Sequence, residues 1–286
     1  MTGSAHQLTA AAPFDFGLSL RFVGGFSPTA GEQRIGDGRL VKALRVAGET
    51  VLAEVSAGGV GVDVRLRGAR YDAAVDAALD RVRFYLSLDD ELEEFYALAD
   101  DDFKVVVERL YGYHQVKFSS PWENVAWAIL SQRTPRSVAV QAKAALIRRA
   151  GTVIEVDGGE YPAFPDAEQV AGIGDLAEVI GNVRKAGYLQ GAARRWLELS
   201  ELELRTAPYD DAKEQLLALP GIGPWSATFV MIRGLGRTDE VPTEKEFLRA
   251  AARVYGRAVD EADVIQLAER YGPWRGYWAH YLRASG

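Results

Sequence analysis

The chain has 286 residues, enough for one large domain or two small ones with a substantial core. Its 33 basic and 40 acidic side chains leave a net charge of −7, which argues against strong indiscriminate attraction to a polyanion, and no apolar run is long enough for a membrane span. It holds no cysteine, which excludes disulfides, thiolate catalysis and cysteine-ligated metal centres, and His6, His114 and His280 are too widely spaced to form a ligand motif.

Residues 1–13 are small and weakly polar and predict a flexible N-terminus without a targeting signal, as in a cytoplasmic protein. Residues 14–22 alternate apolar and polar side chains and predict a strand. Three more strands are expected over 40–46, 51–55 and 60–66, separated by turns at Gly48-Glu49 and Gly58-Gly59. Helical spacing returns over 71–86 and 89–99, and the run Asp100-Asp101-Asp102 suits the capping of a helix over 103–110. A small antiparallel sheet domain with connecting helices is thus expected over 14–100, and an almost wholly helical region over 101–286.

Within that region, Val125, Ile129 and Leu130 mark the core face of one helix, Ser131-Gln-Arg-Thr-Pro135 breaks it, and residues 137–149 resume it. Residues 161–166 read as a turn-rich linker, and Ala171-Gly-Ile-Gly174 as a packing turn. The most informative stretch is Leu219-Pro-Gly-Ile-Gly223, a hairpin between helices over 211–218 and 225–233. Pro220 cannot continue the first helix, Gly221 and Gly223 give the turn its backbone freedom, and Pro224 fits the first turn of the second helix. Such a turn lets main-chain N–H groups and a helix N-terminus approach a phosphate, so it reads a nucleic-acid backbone rather than its bases. Arg133, Arg136, Arg148, Arg149, Arg184, Lys185, Arg194 and Arg195 could supply a local basic patch. Thr243-Glu-Lys-Glu246 has the capping-box pattern. The aromatic stripe of Trp274, Tyr277, Trp278 and Tyr281 reads as core.

These words resemble the helix-hairpin-helix DNA glycosylase superfamily and, within it, the AlkA-like 3-methyladenine DNA glycosylases. The resemblance rests on LPGIGPWSA at 219–227, Arg233-Gly234, the Asp239-x-x-Pro242 loop, and the Arg184-Lys185-Ala186-x-Tyr188-Leu189 word. It implies an α+β chain in which a small N-terminal antiparallel sheet domain precedes a two-lobed all-α domain with a DNA groove between the lobes. It implies a monomer acting on double-stranded DNA with damaged bases. It also implies DNA contacts from Leu219, Gly221, Ile222, Gly223 and Ser226, and from Gln132 and Arg133 filling the hole left by an extruded base. Trp225, Phe229 and Trp122 would form an aromatic pocket for that base, whose positive charge when alkylated favours π faces. No cofactor is implied beyond a monovalent cation at the carbonyls of 219–223, and the absence of cysteine excludes the cluster-bearing endonuclease branch.

The resemblance places the family's catalytic aspartate at Lys245, next to Glu244. Three readings follow. Glu244 replaces the aspartate in a hydrolytic glycosylase, stabilising an oxocarbenium-like sugar. Alternatively, Lys245 is a nucleophile that forms a Schiff base and gives lyase activity. In the third reading, the protein binds damaged DNA without cutting it.

Overall fold

The computed structural model describes residues 3–286. The chain runs β1 (Gly3–Thr9), α1 (Phe16–Gly25), β2 (Gln33–Gly36), β3 (Arg39–Val46), β4 (Glu49–Gly58), β5 (Gly61–Arg67), α2 (Asp72–Tyr85), α3 (Glu93–Ala97) and α4 (Asp101–Arg109). It continues through α5 (Pro121–Ser131), α6 (Arg136–Ala150), β6 (Thr152–Val156), β7 (Gly159–Ala163), α7 (Ala167–Ala171), α8 (Leu176–Ile180) and α9 (Val183–Trp196). It closes with α10 (Glu201–Thr206), α11 (Tyr209–Leu217), α12 (Pro224–Gly234), α13 (Lys245–Val254), α14 (Glu261–Glu269) and α15 (Arg275–Ala284). The α+β class is as expected, with the main sheet confined to the N-terminal segment.

That sheet is antiparallel in the order β1-β5-β4-β3-β2. Its inward residues, among them Leu40, Val51, Val55, Val62 and Val64, are buried. The β3–β4 turn is Ala47-Gly48, with φ of 47° and 74°, the doubly left-handed geometry that matches the twist of a two-residue hairpin.

Three expectations are corrected. Residues 14–22 do not form a strand: Asp15 caps α1, accepting from Gly17 N at 2.8 Å and Leu18 N at 3.2 Å. Phe16, Ser19 and Val23, three and four residues apart, are the buried stripe. The N-terminus is not free, because β1 pairs with β5 along its whole length; of the residues expected to be flexible, 1–2 lie outside the described residues. The expected all-helical region contains the β6–β7 hairpin, which takes in part of the supposed linker at 161–166. Asp157-Gly158, with φ of 49° and 77°, is a strong turn signal lying in plain view between the two strands. Ile154, Val156 and Ala163 pack on Ala43 and Leu52 of the main sheet.

The cores divide the chain differently from a boundary at 100. One core joins the sheet and α1–α4 to the C-terminal helices, through Phe247, Tyr271, Tyr277, Trp278 and Tyr281. Phe95 sits among these rings, 5.1 Å from Tyr281 by centroid. Of the expected run of three aspartates, Asp100 is the cap of α4, which already includes Asp101 and Asp102, and it also accepts from Tyr255 and Tyr271. The second core is built by α5–α12. Hence α12 and the 240–244 loop run from the second core back to the first, and the two lobes meet beside them.

Candidate active site

The hairpin forms where the sequence places it. Ile222 N donates to Leu219 O at 3.1 Å, and Ala227 N to Gly223 O at 2.9 Å as α12 begins. Gly221 has φ +83°, and a Cβ there would meet the Tyr188 ring system at 2.8 Å. Gly223 is the extended N-cap of α12, and a Cβ on it would meet nothing within 4 Å. The first N–H groups of α12 have no intrahelical acceptor and carry the positive end of the dipole. Leu219 and Ile222 are core residues, so any ligand contact they make is through the main chain. Ser226 is buried too, and its hydroxyl accepts from Gln132 Nε2 at 3.1 Å.

Gln132 also donates to Gly221 O at 2.5 Å, bracing the α5–α6 break against the hairpin rather than projecting freely. Arg133 beside it is exposed and sits at φ +48°, a left-handed conformation costly for a residue with a Cβ. Lys185 donates to Leu130 O at 2.5 Å, capping the C-terminus of α5, and burial lowers its pKa. Arg133, Arg184, Lys185, Gly221, Gly223 and Trp225 all line one cleft. The rest of the expected basic patch is less concentrated, since Arg149 pairs with Asp175 and Arg195 with Glu198.

A cavity of about 290 Å³ opens beside Trp225, which also borders the cleft. Trp225 and Phe229, one turn apart on α12, stack with centroids 5.4 Å apart and planes 7° from parallel. Trp225 is 48% exposed, an unusual position for a tryptophan with no partner to cover it. Trp122 is not here: it is buried in the second core, its Nε1 donates to Pro165 O at 3.1 Å, and its ring faces Trp196. The inward face of α5 is apolar throughout, so its tryptophan packs rather than lining the cavity.

Glu244 lies on the cavity wall and Lys245 does not. Lys245 is exposed as the first residue of α13, directly after the extended N-cap Glu244. The N-cap is Glu244 and not Thr243, and the expected capping box is absent. One Glu244 oxygen is paired with Arg283 of α15, while Oε2 is buried without a partner.

Further wall residues came from outside the motifs. Glu240 accepts from Thr228 Oγ1 at 2.7 Å and pairs with Lys213. Burial works to raise its pKa, but the hydrogen bonds from Lys213 and Thr228 prevail and hold it below the usual carboxylate range. His280 meets the Tyr113 hydroxyl at 2.8 Å, and burial together with Arg233 pushes its pKa well below the ordinary imidazole value, leaving it neutral. Arg233, pushed down to about 10 by burial, donates to Val116 O at 2.7 Å and lies over Phe26. Its neighbour Gly234 lies so close to Asn124 that a Cβ would come within 2.8 Å of Oδ1, which explains the Arg-Gly pair. Gln115 completes the inner wall.

A sheet domain on two helical lobes, with the hairpin at the cleft and a carboxylate in the adjoining cavity, defines the helix-hairpin-helix glycosylase architecture. No family model matches the chain. A Bacillus subtilis DNA-3-methyladenine glycosylase is 28% identical over 207 residues, covering 69% of this chain and 68% of that protein. A Mycobacterium tuberculosis protein named "Probable bifunctional transcriptional activator/DNA repair enzyme AlkA" is 30% identical over 211 residues, 72% of this chain but only 42% of that longer one. Among solved structures, a 3-methyladenine DNA-glycosylase from Archaeoglobus fulgidus superposes with a TM-score of 0.79 at 24% identity, covering 98% of this chain and 97% of that one. A Clostridium acetobutylicum 8-oxoguanine glycosylase/lyase gives 0.73 at 18%, covering 100% and 97%. In sequence the chain is similar to AlkA-like DNA-3-methyladenine glycosylases, and it shares the fold of the helix-hairpin-helix glycosylases.

Proposed function

We propose that this protein is a DNA repair glycosylase that acts as a monomer on duplex DNA, takes an alkylated base into the cavity beside Trp225 and hydrolyses its N-glycosidic bond. The observation that carries this reading is Glu244: a cavity-wall carboxylate with one oxygen held by Arg283 and the other buried without a hydrogen-bond partner. As the bond breaks, its electron pair leaves with the base and positive charge develops on the sugar. The free Glu244 oxygen stabilises that charge and accepts a proton from the water that adds to the sugar carbon.

Two wall residues support a preference for alkylated bases. His280 is neutral and Glu240 is held ionised, so neither can protonate a leaving base near pH 7. A base already carrying positive charge leaves neutral without an acid, and stacks on Trp225 and Phe229. The hairpin and Arg133 would hold the duplex and fill the gap behind the base. A monovalent cation at the 219–223 carbonyls would have to share them, because Leu219 O and Gly221 O already accept from Ile222 N and Gln132. None of the described helices is long and apolar enough to cross a membrane.

The test is incubation with DNA carrying methylated purines, followed by detection of free bases and abasic sites. Glu244→Gln should abolish release while leaving duplex affinity intact, and borohydride should trap no covalent adduct. Undiminished release by Glu244→Gln, or an adduct lost in Lys245→Ala, would overturn the hydrolytic mechanism. Duplex binding without release of any alkylated base would instead favour a recognition protein.

A further inference from the structure

Gln115 borders the cavity but is fully buried, and neither Oε1 nor Nε2 has a hydrogen-bond partner. Its main chain, by contrast, is pinned. Gln115 N donates to the Tyr277 hydroxyl at 2.9 Å, and its carbonyl accepts from Ser87 Oγ. On either side, Val116 O accepts from Arg233 at 2.7 Å and Lys117 N donates to Tyr85 O at 2.9 Å. A rigid backbone thus presents a carboxamide that the fold itself leaves unsatisfied. Buried polar groups are nearly always paired, and each exception calls for a reason. Arg233 Nε, on the same wall, is likewise buried without a partner. Much of the remaining wall is apolar, including Ile232, Val241, Pro242 and Ala279, and so offers these groups nothing.

The unsatisfied set is therefore two kinds of donor, the Gln115 amide and the Arg233 N–H, and one acceptor, Gln115 Oε1. We infer that Gln115, seconded by Arg233, is the specificity-determining reader of the extruded base, and that it selects a lactam edge: a carbonyl oxygen beside a ring N–H. Such an edge takes the amide donor on its oxygen, returns its N–H to Oε1, and leaves a second lone pair for Arg233. An aminopurine edge offers an amino group beside a bare ring nitrogen. The amide could turn to meet it, but Arg233 would then face hydrogens instead of an oxygen. Among alkylated purines, 7-alkylguanines keep the lactam edge and 3-alkyladenines present the amino edge. This inference rests on the glycosylase reading of the same cavity.

The experiment is a calorimetric titration of the full chain, bound to a duplex with a tetrahydrofuran abasic analogue, with free 7-methylguanine and with free 3-methyladenine. The wild type should bind 7-methylguanine roughly 10-fold or more tightly than 3-methyladenine. Gln115→Met, of similar length but unable to hydrogen-bond in this way, should erase that preference. Gln115→Glu, which loses the donor, should weaken 7-methylguanine binding at least as much; it stands as the second variant if the first fails to fold. Equal affinities in the wild type, no binding of either base, or a preference retained in both variants would overturn the inference. A wild type that shows the preference but releases no base from DNA would uphold Gln115 as the reader and sink the hydrolytic reading instead.

Discussion

The two hairpin glycines should respond to alanine in opposite ways. At Gly221 the backbone has φ +83°, and the added Cβ would lie 2.8 Å from Tyr188 Cβ and Cγ. The left-handed conformation costs an L-residue about 1–2 kcal/mol, and pushing back a packed ring adds about 1–3 kcal/mol. A total of roughly 2–5 kcal/mol corresponds to a fall in melting temperature of about 4–10 °C for a chain of this size. At Gly223 the φ of −104° is ordinary and the Cβ meets nothing within 4 Å. Only a poorer N-cap results, worth under about 1 kcal/mol. Yet that open space is where a phosphate would approach the first N–H groups of α12. Gly223→Ala should therefore melt within about 3 °C of the wild type while losing about 10-fold in affinity for an abasic duplex. Thermal melts and fluorescence anisotropy on the two variants decide the matter. A Gly221→Ala protein as stable as the wild type would refute the steric argument, and a Gly223→Ala protein with unchanged affinity would refute the placement of the phosphate.

Arg133 tests the other side of the cleft. Arg133→Gly should relieve the φ of +48° and keep or slightly raise the melting temperature, while weakening binding to an abasic duplex about 10-fold; unchanged affinity would remove Arg133 from the interface. Far from the cleft, Lys143 is buried between Glu32 at 2.5 Å and Glu123 at 2.6 Å. Burial raises the Glu32 pKa to about 7 against the opposing pull of Lys143. The folded state then binds a proton that the unfolded chain releases near pH 4.5, so the stability tied to this group is present below that pH and is lost as pH rises through about 7. Urea melts between pH 5 and 8 should show that decline in the wild type and a flatter profile in Glu32→Gln; parallel profiles would contradict it.

What the sequence settled by itself was local. The 219–223 hairpin, the strands over 40–66, the aspartate cap at 100–102 and the α5–α6 break are written in backbone chemistry, because proline, paired glycines and short acidic side chains constrain the chain wherever they stand. The same local logic misread residues 14–22, where a short alternation looked like a strand although Asp15 and the spacing of Phe16, Ser19 and Val23 fit a helix. It also passed over Asp157-Gly158. The site was legible only in part. Trp225 and Phe229, one turn apart on a single helix, reach the cavity together, whereas Trp122 goes to the second core. That Glu244 and not Lys245 lines the cavity depended on where α13 starts and on Arg283, which comes from the last helix. Gln115 and Arg233 carried no motif for base reading; their unmet hydrogen bonds exist only because α12, α15 and the segment after α4 enclose them. Periodicity tells a residue whether to be buried, but the partner it meets there is fixed by the packing of segments remote in sequence, and in this protein that packing assembled the cavity.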